Sequence, residues 1–369
     1  MSNQNGQATD ASLSEEFSTL KSYLLPDGAL LKGMESLAQM KDTVIELDNI
    51  LLQLAKTSNY SAAELKHVTE EAFRLGDAAG KAGTEVLSYI NSAAQAGYGT
   101  KDALAIAQEA MKMTNLSSGI DNADTATEYL TNILEGFQKP RRSISSINDS
   151  LIGIAKTGKA DFDTLAAGAS KLAQSADDAG MSLEELLGLL SGAYEVLGDM
   201  DKVTNGELAI FSNLKETYGD TQNVYRILNN LNSSWSTLED SSKESFAASI
   251  AGNDQREVFL ALMDNWKGVE QAVFSASNSF GAADEANQAY LDSIAGKTAT
   301  FQNQVEELSA SLIHSDILKF FLDLGTVGSN ALNKVTEKIG SLGTLGALAG
   351  GYLGAKNLGR ANTDSCPSF

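Results

Sequence analysis

The chain has 369 residues, 43% hydrophobic but only 7% aromatic, which is enough for about two ordinary domains with a thin, alanine-rich core. Lys and Arg number 27 against 48 Asp and Glu, and a net charge of −21 counts against direct nucleic-acid binding because such a surface repels phosphate. The single cysteine, Cys366, excludes an intramolecular disulfide and fits a reducing compartment.

Between Pro26 and Pro367 the only proline is Pro140, so long helical stretches run without a breaker. Residues 1–12 are polar and read as disordered, with no apolar segment of a secretory signal. The first strong helix is expected over Leu30–Leu54, where Leu37, Met40, Val44, Leu47, Leu51 and Leu54 recur in steps of three and four. Ser61-Ala-Ala-Glu64 has the spacing of a capping box and starts the next helix, to about Ala78.

An internal repeat follows. SAAQAGYGTKDALAIAQEAMKM begins at Ser92, and SADDAGMSLEELLGLLSGAYEV begins at Ser175. Gly97 falls on Gly180, Leu104 on Leu187 and Ala110 on Ala193; with a two-residue gap, Tyr129–Ile133 falls on Ile210–Leu214. Each copy reads as helix, glycine stop, turn, helix, loop and helix, with the glycine taking the left-handed conformation that ends the first helix. Ser182 and Glu185 have capping-box spacing, and Leu183, Leu186, Leu187, Leu190, Tyr194 and Leu197 form one stripe of the helix after them. Pro140 lies between the copies in Lys139-Pro140-Arg141-Arg142, read as a hinge loop, with a protease site or an acidic-partner contact as the alternatives.

Gly219–Asp264 reads as several short helices, one capped by Ser241-x-x-Glu244 and another bounded by Gly252-Asn253-Asp254. The longest seam follows: Leu291, Ile294, Thr298, Phe301, Val305, Leu308 and Leu312. Beyond it the run Ile317–Leu324 is densely apolar and glycines increase from Gly325. Leu342–Ala355, with Leu342, Leu345, Leu348, Tyr352 and Leu353, has Gly346-x-x-x-Gly350 spacing. It reads equally as a membrane segment or as a glycine-rich packed helix; ~14 residues span ~21 Å, short of a ~30 Å hydrocarbon core.

Little here marks chemistry. His67 and His314 have no ligand partners at metal spacing, and the chain lacks a phosphate loop and a Gly-x-Ser-x-Gly elbow. Asp177-Asp178 and Glu184-Glu185 surround a helix start, where the macrodipole favours acids. Trp235 and Trp266 read as core anchors, Trp266-Lys267-Gly268 being too short a match to a Trp-x-Gly turn to carry more. No enzyme, cofactor or metal is expected.

Several stretches, in order, resemble the core region of bacteriophage tail tape measure proteins over roughly residues 35–355. They are the Leu54–Leu65 segment, Ala94-Gln-Ala-Gly-Tyr-Gly-Thr100, Ile120–Ala126 with the Leu130–Phe137 helix, and Ala179-Gly-Met-Ser-Leu-Glu-Glu-Leu186 with the Asn205–Leu214 helix. Ala251-Gly-Asn-Asp-Gln-Arg-Glu-Val258, Ser275–Gly281 and Tyr290–Lys297 complete the series. The resemblance implies a structural protein of the virion that lies in the tail tube lumen and sets tail length. It implies as partners the tail tube protein and tail assembly chaperones in the host cytoplasm, self-association into a helical bundle, and a role at the host inner membrane during genome ejection. Family members are usually longer, so a truncated or split reading frame, or a prophage remnant, is expected; one continuous helix of this length would span ~550 Å. The competing reading is a membrane-active, pore-forming or secreted helical protein acting through residues 317–358.

The expected fold is all-α: an elongated array of amphipathic helices and helical hairpins with coiled-coil-like segments. Its expected divisions are a flexible segment (1–29), a helical region with the first copy (30–138), one with the second (139–218), a region with the long seam (219–324), and a Gly-rich apolar segment with an aperiodic tail (325–369).

Overall fold

A computed structural model describes residues 46–47, 49–137, 143–219 and 222–313. Every regular element among them is an α-helix. Helix α1 covers residues 49–57, followed by α2 (Ala62–Ala79), α3 (Gly83–Gln95), α4 (Thr100–Leu116), α5 (Ala123–Gly136), α6 (Ser145–Ala155), α7 (Phe162–Asp178) and α8 (Leu183–Leu197). Then come α9 (Met200–Tyr218), α10 (Val224–Trp235), α11 (Asp240–Ala251), α12 (Arg256–Asp264), α13 (Trp266–Ser277), α14 (Ala282–Asp292) and α15 (Ile294–Ile313). Leu52–Asn303 form one compact unit; the described residues 46–47, 49–51 and 304–313 belong to a second and are helical.

Local chemistry sets six of the helix starts among the described residues. Ser61 and Ser182 each cap the backbone N–H three residues on, and Glu64 and Glu185 reach back to complete both capping boxes. Asn122, Asp161, Asp199 and Asn223 do the same work alone for α5, α7, α9 and α10. Two expectations fail. Helix α11 begins at Asp240 after Glu239, with no side-chain cap, so Ser241 sits inside the first turn. The seam expected through Leu291–Leu312 is broken at Ser293, which is extended (φ −70°, ψ 166°) and accepts a hydrogen bond from Gly296 N at 3.1 Å. Leu291 therefore ends α14, while Ile294, Phe301, Val305, Leu308 and Leu312 fall on α15. Gly296 makes the break possible: a methyl group there would lie 2.7 Å from Leu291 Cα, so the new helix starts hard against the old one.

Helices α3, α4 and α5 pack pairwise on one another, and so do α7, α8 and α9. Helix α5 packs on α7 and joins the two triads. Helix α12 rests on α8, α9 and α11, and α13 crosses α8 and α6. The centre of the unit is α8. Leu183, Leu186, Leu187, Leu189 and Leu190 are all fully buried, each contributing about 1.5–3 kcal/mol relative to exposure. The single expected stripe is thus too narrow, because the opposite face of α8 is buried too.

That face is Gly188 and Gly192. A methyl group at Gly192 would overlap Val269 Cγ2 and lie 3.3 Å from Val269 Cα. One at Gly188 would overlap Val273 Cγ2 and lie 3.1 Å from the Val269 carbonyl oxygen. The backbones of α8 and α13 meet where side chains would hold them apart. Gly136 against Ala173 repeats the device between α5 and α7, where an added methyl group would lie 2.7 Å from the Ala173 carbonyl carbon.

Alanine replaces glycine in an ordinary helix with a gain of about 1 kcal/mol. Gly192→Ala is expected to do the reverse and cost about 1–3 kcal/mol by overpacking. Val269→Ala in the same chain should recover part of that loss. Thermal or urea unfolding of the two single variants and the double variant measures the coupling, and an additive pair would mean that the two positions do not touch.

Candidate functional site

Among the described residues no three His, Cys, Asp or Glu side chains come together as metal ligands. His67 is exposed on α2, and His314 lies outside the described residues. The paired acids at the second turn serve the fold: Glu185 Oε2 accepts from Ser182 N at 2.8 Å and from Asn223 Nδ2 at 3.0 Å, and Asp178 accepts from Gln174. Open clefts occur among the described residues. One, of about 280 Å³, lies between Leu116–Ser118, Ala155–Lys156 and Asp161–Asp163. Another, of about 650 Å³, is lined by Tyr129, Lys171, Tyr194 and the Asp199–Asp201 turn. In the second, Lys171 Nζ is already engaged with Thr204 Oγ1 at 2.9 Å.

The organised chemistry lies at the repeated turns. Gly97 (φ 94°) and Gly180 (φ 70°) both take the left-handed conformation, which glycine adopts without the steric cost of a Cβ. Their bonding is the same, residue for residue. Tyr98 N donates to Ala93 O and Gly97 N to Ala94 O; Met181 N donates to Ala176 O and Gly180 N to Asp177 O. Both sets satisfy carbonyls left over at the helix end. Each turn is then held by the start of another helix. Tyr60 Oη donates to Tyr98 O at 2.9 Å ahead of α2, while Asn223 Nδ2 donates to Gly180 O at 2.7 Å and Val224 N to Ala179 O at 3.0 Å ahead of α10. The equivalence continues inward: Leu130 and Ile133 are buried as Phe211 and Leu214 are.

The two tryptophans anchor the helices after the second copy. Trp235 Nε1 donates to Asp264 Oδ1 at 2.9 Å, and Trp266 Nε1 donates to Asn229 Oδ1 at 3.0 Å. Trp266 opens helix α13 and forms no turn. Its ring lies 5.3 Å from Tyr225, and that of Trp235 lies 5.7 Å from Phe259, edge to face.

Two buried polar features had no sequence signal. The first is a network on α4 and α6. Glu109 is held by Lys112 Nζ at 2.8 Å and Asn148 Nδ2 at 3.1 Å. Burial works to lower the Lys112 ammonium, but its bonds to Asp284 and Glu109 outweigh that and leave it raised. The second is Glu207 on α9, fully buried, with neither carboxylate oxygen hydrogen-bonded. Burial alone holds its carboxyl well above the usual range.

Pro140 and Lys139–Arg142 lie outside the described residues, as do Ile317–Leu324 and the candidate membrane residues Leu342, Leu345, Leu348, Tyr352 and Leu353. Among the described residues no helix is long and apolar enough to cross a membrane.

The described residues thus combine close-packed helices, a duplicated turn unit, and polar groups of which most hold helices together. Residues 69–276 match the phage-related minor tail protein family, and the chain belongs to it. Its role is structural, in a phage tail, with other tail components as its partners. No solved structure matches the chain.

Glu207 yields a signed expectation. Because its folded-state pKa is raised, its stabilising protonation is complete below the unfolded value of about 4.5 and is lost as pH rises toward the folded value. Glu207→Met should therefore stabilise the protein most at pH 8. The pH-dependent part of that gain should shrink by up to about 1.4 kcal/mol per unit and disappear near pH 4.5. Urea unfolding of both proteins at pH 8, 6 and 4.5 measures it; a gain independent of pH would show that Glu207 ionises freely in the fold.

Proposed function

We propose that this chain is the core of a tail tape measure protein, lying in the tail tube and setting tail length during assembly. The observation that carries this reading is the tandem copy of one three-helix unit, spaced by 175 − 92 = 83 residues. A duplicated helical unit adds contour length without adding chemistry, and the near absence of proline lets the added length be helical. Each unit reverses direction at one left-handed glycine, and Gly97 has no atom beyond its own neighbours within 4 Å of an added Cβ. The Gly97 turn itself is thus free to change its dihedrals, and the packing lost on opening is that of the two helices it joins. The acidic surface suits a lumen later crossed by DNA, since like charge prevents adhesion to phosphate.

In this reading the tube protein and assembly chaperones are the partners, and several copies associate through the amphipathic faces of opened hairpins. The protein then leaves ahead of the genome, with the apolar segment Leu342–Ala355 meeting the host inner membrane.

The test is a change of length. Deleting residues 100–182 joins the first turn directly to α8 and removes 83 residues, or one repeat spacing. In the phage or prophage that encodes this chain, tails should shorten by about 125 Å at 1.5 Å per helical residue. Electron microscopy of negatively stained virions reads the result. Assembled tails of unchanged length would sink the proposal.

A further inference from the structure

We infer that α14 is a releasable strap: a helix held to the compact unit by polar bonds, which opens before the unit itself unfolds. Of its eleven residues only Ala283 and Asn287 are buried. By contrast, nine residues of α8 are buried, most of them apolar. Helix α14 packs on α4 and α6, and the bonds that seat it there are polar. Asp149, on α6 and 7% exposed, accepts from Gly281 N at 3.1 Å and Ala283 N at 2.9 Å. It therefore caps α14 from 132 residues away. Charge-assisted bonds to free N–H groups at a helix start are strong, and here they come from a different element. Lys112 Nζ donates to Asp284 Oδ1 at 2.6 Å, and Asn115 Nδ2 donates to Asn287 Oδ1 at 2.9 Å. Lys156 faces Glu285 at 3.8 Å.

Both ends of the strap can bend. Gly281 has φ 77° with open space around its Cβ position, and Phe280 before it is fully exposed. Ser293 interrupts the helix at the other end. A helix with so little apolar burial can leave without exposing a large hydrophobic face, so the cost of opening is concentrated in a few bonds. Beyond Ser293, Asn303 on α15 is bonded to Phe73 O at 2.9 Å and Asp77 Oδ1 at 2.7 Å, a further polar attachment. The strap follows from how α14 is seated and does not depend on the tape measure reading.

Native-state hydrogen exchange on the full chain tests it. Amides of α14 should exchange at least about 100-fold faster than those of α8, by local opening. Asp149→Ala should speed α14 about ten-fold and leave α8 unchanged, as expected for loss of a charged cap. Asp284→Ala is the milder variant, since that side chain is 70% exposed; it should speed α14 about three-fold, again without effect on α8. The inference is overturned if α14 is as protected as α8 in the unaltered chain. It is equally overturned if Asp284→Ala speeds both helices together or neither.

Discussion

The glycine face of α8 is the constraint on which the rest of the compact unit depends. Gly188 and Gly192 let α13 lie directly on the α8 backbone, and that approach decides what α13 can reach. At one end Asn265 donates to Gly192 O at 2.9 Å and to Glu195 at 3.1 Å, and Trp266 reaches Asn229. At the other end Ser275 and Ser279 press on Gly153 of α6, which delivers the chain to Gly281 and Asp149. A core poor in aromatics still excludes water this way, because close backbones leave few voids to fill.

Two kinds of attachment coexist in the fold. Where α8 meets its neighbours, leucines and glycines interdigitate, and the contact is non-directional and hard to loosen in part. Where α14 meets α4 and α6, a handful of hydrogen bonds and ion pairs hold it, with Ala283 its one buried apolar side chain. Glu207 is a third case, a carboxyl kept neutral by its surroundings inside the apolar part. The distribution separates a helix that can part singly from helices that part only with the core. The duplicated turn gives the same logic at a larger scale: the two units share their bonding at Gly97 and Gly180 but are clamped by different side chains, Tyr60 and Asn223.

The features read correctly from sequence are local ones. The capping boxes at Ser61 and Ser182, the repeat and its glycine stops, and the helical class all rest on bonds within a few residues. The misreadings share one cause. Ser241 has the right spacing to Glu244, but the helix had already begun at Asp240. The Leu291–Leu312 steps of three and four run straight across Ser293, because a spacing count carries no information on backbone dihedrals and cannot register one extended residue between two helices. The Gly188-x-x-x-Gly192 spacing carries no meaning in the sequence alone, since a glycine pair in a leucine-rich helix weakens it until a partner helix is placed on it.

The sequence by itself determined an all-helical chain, its duplicated turn unit, its acidic surface and the absence of recognisable catalytic motifs. Those properties follow from side-chain periodicity, capping chemistry and charge, which act over a turn or two. Only the tertiary structure decided that α8 is buried on both faces, that Asp149 caps a helix 132 residues away, and that Glu207 has no partner. Such facts depend on which helices meet, and helices distant in the chain meet through shape and close approach, which no local pattern of residues encodes.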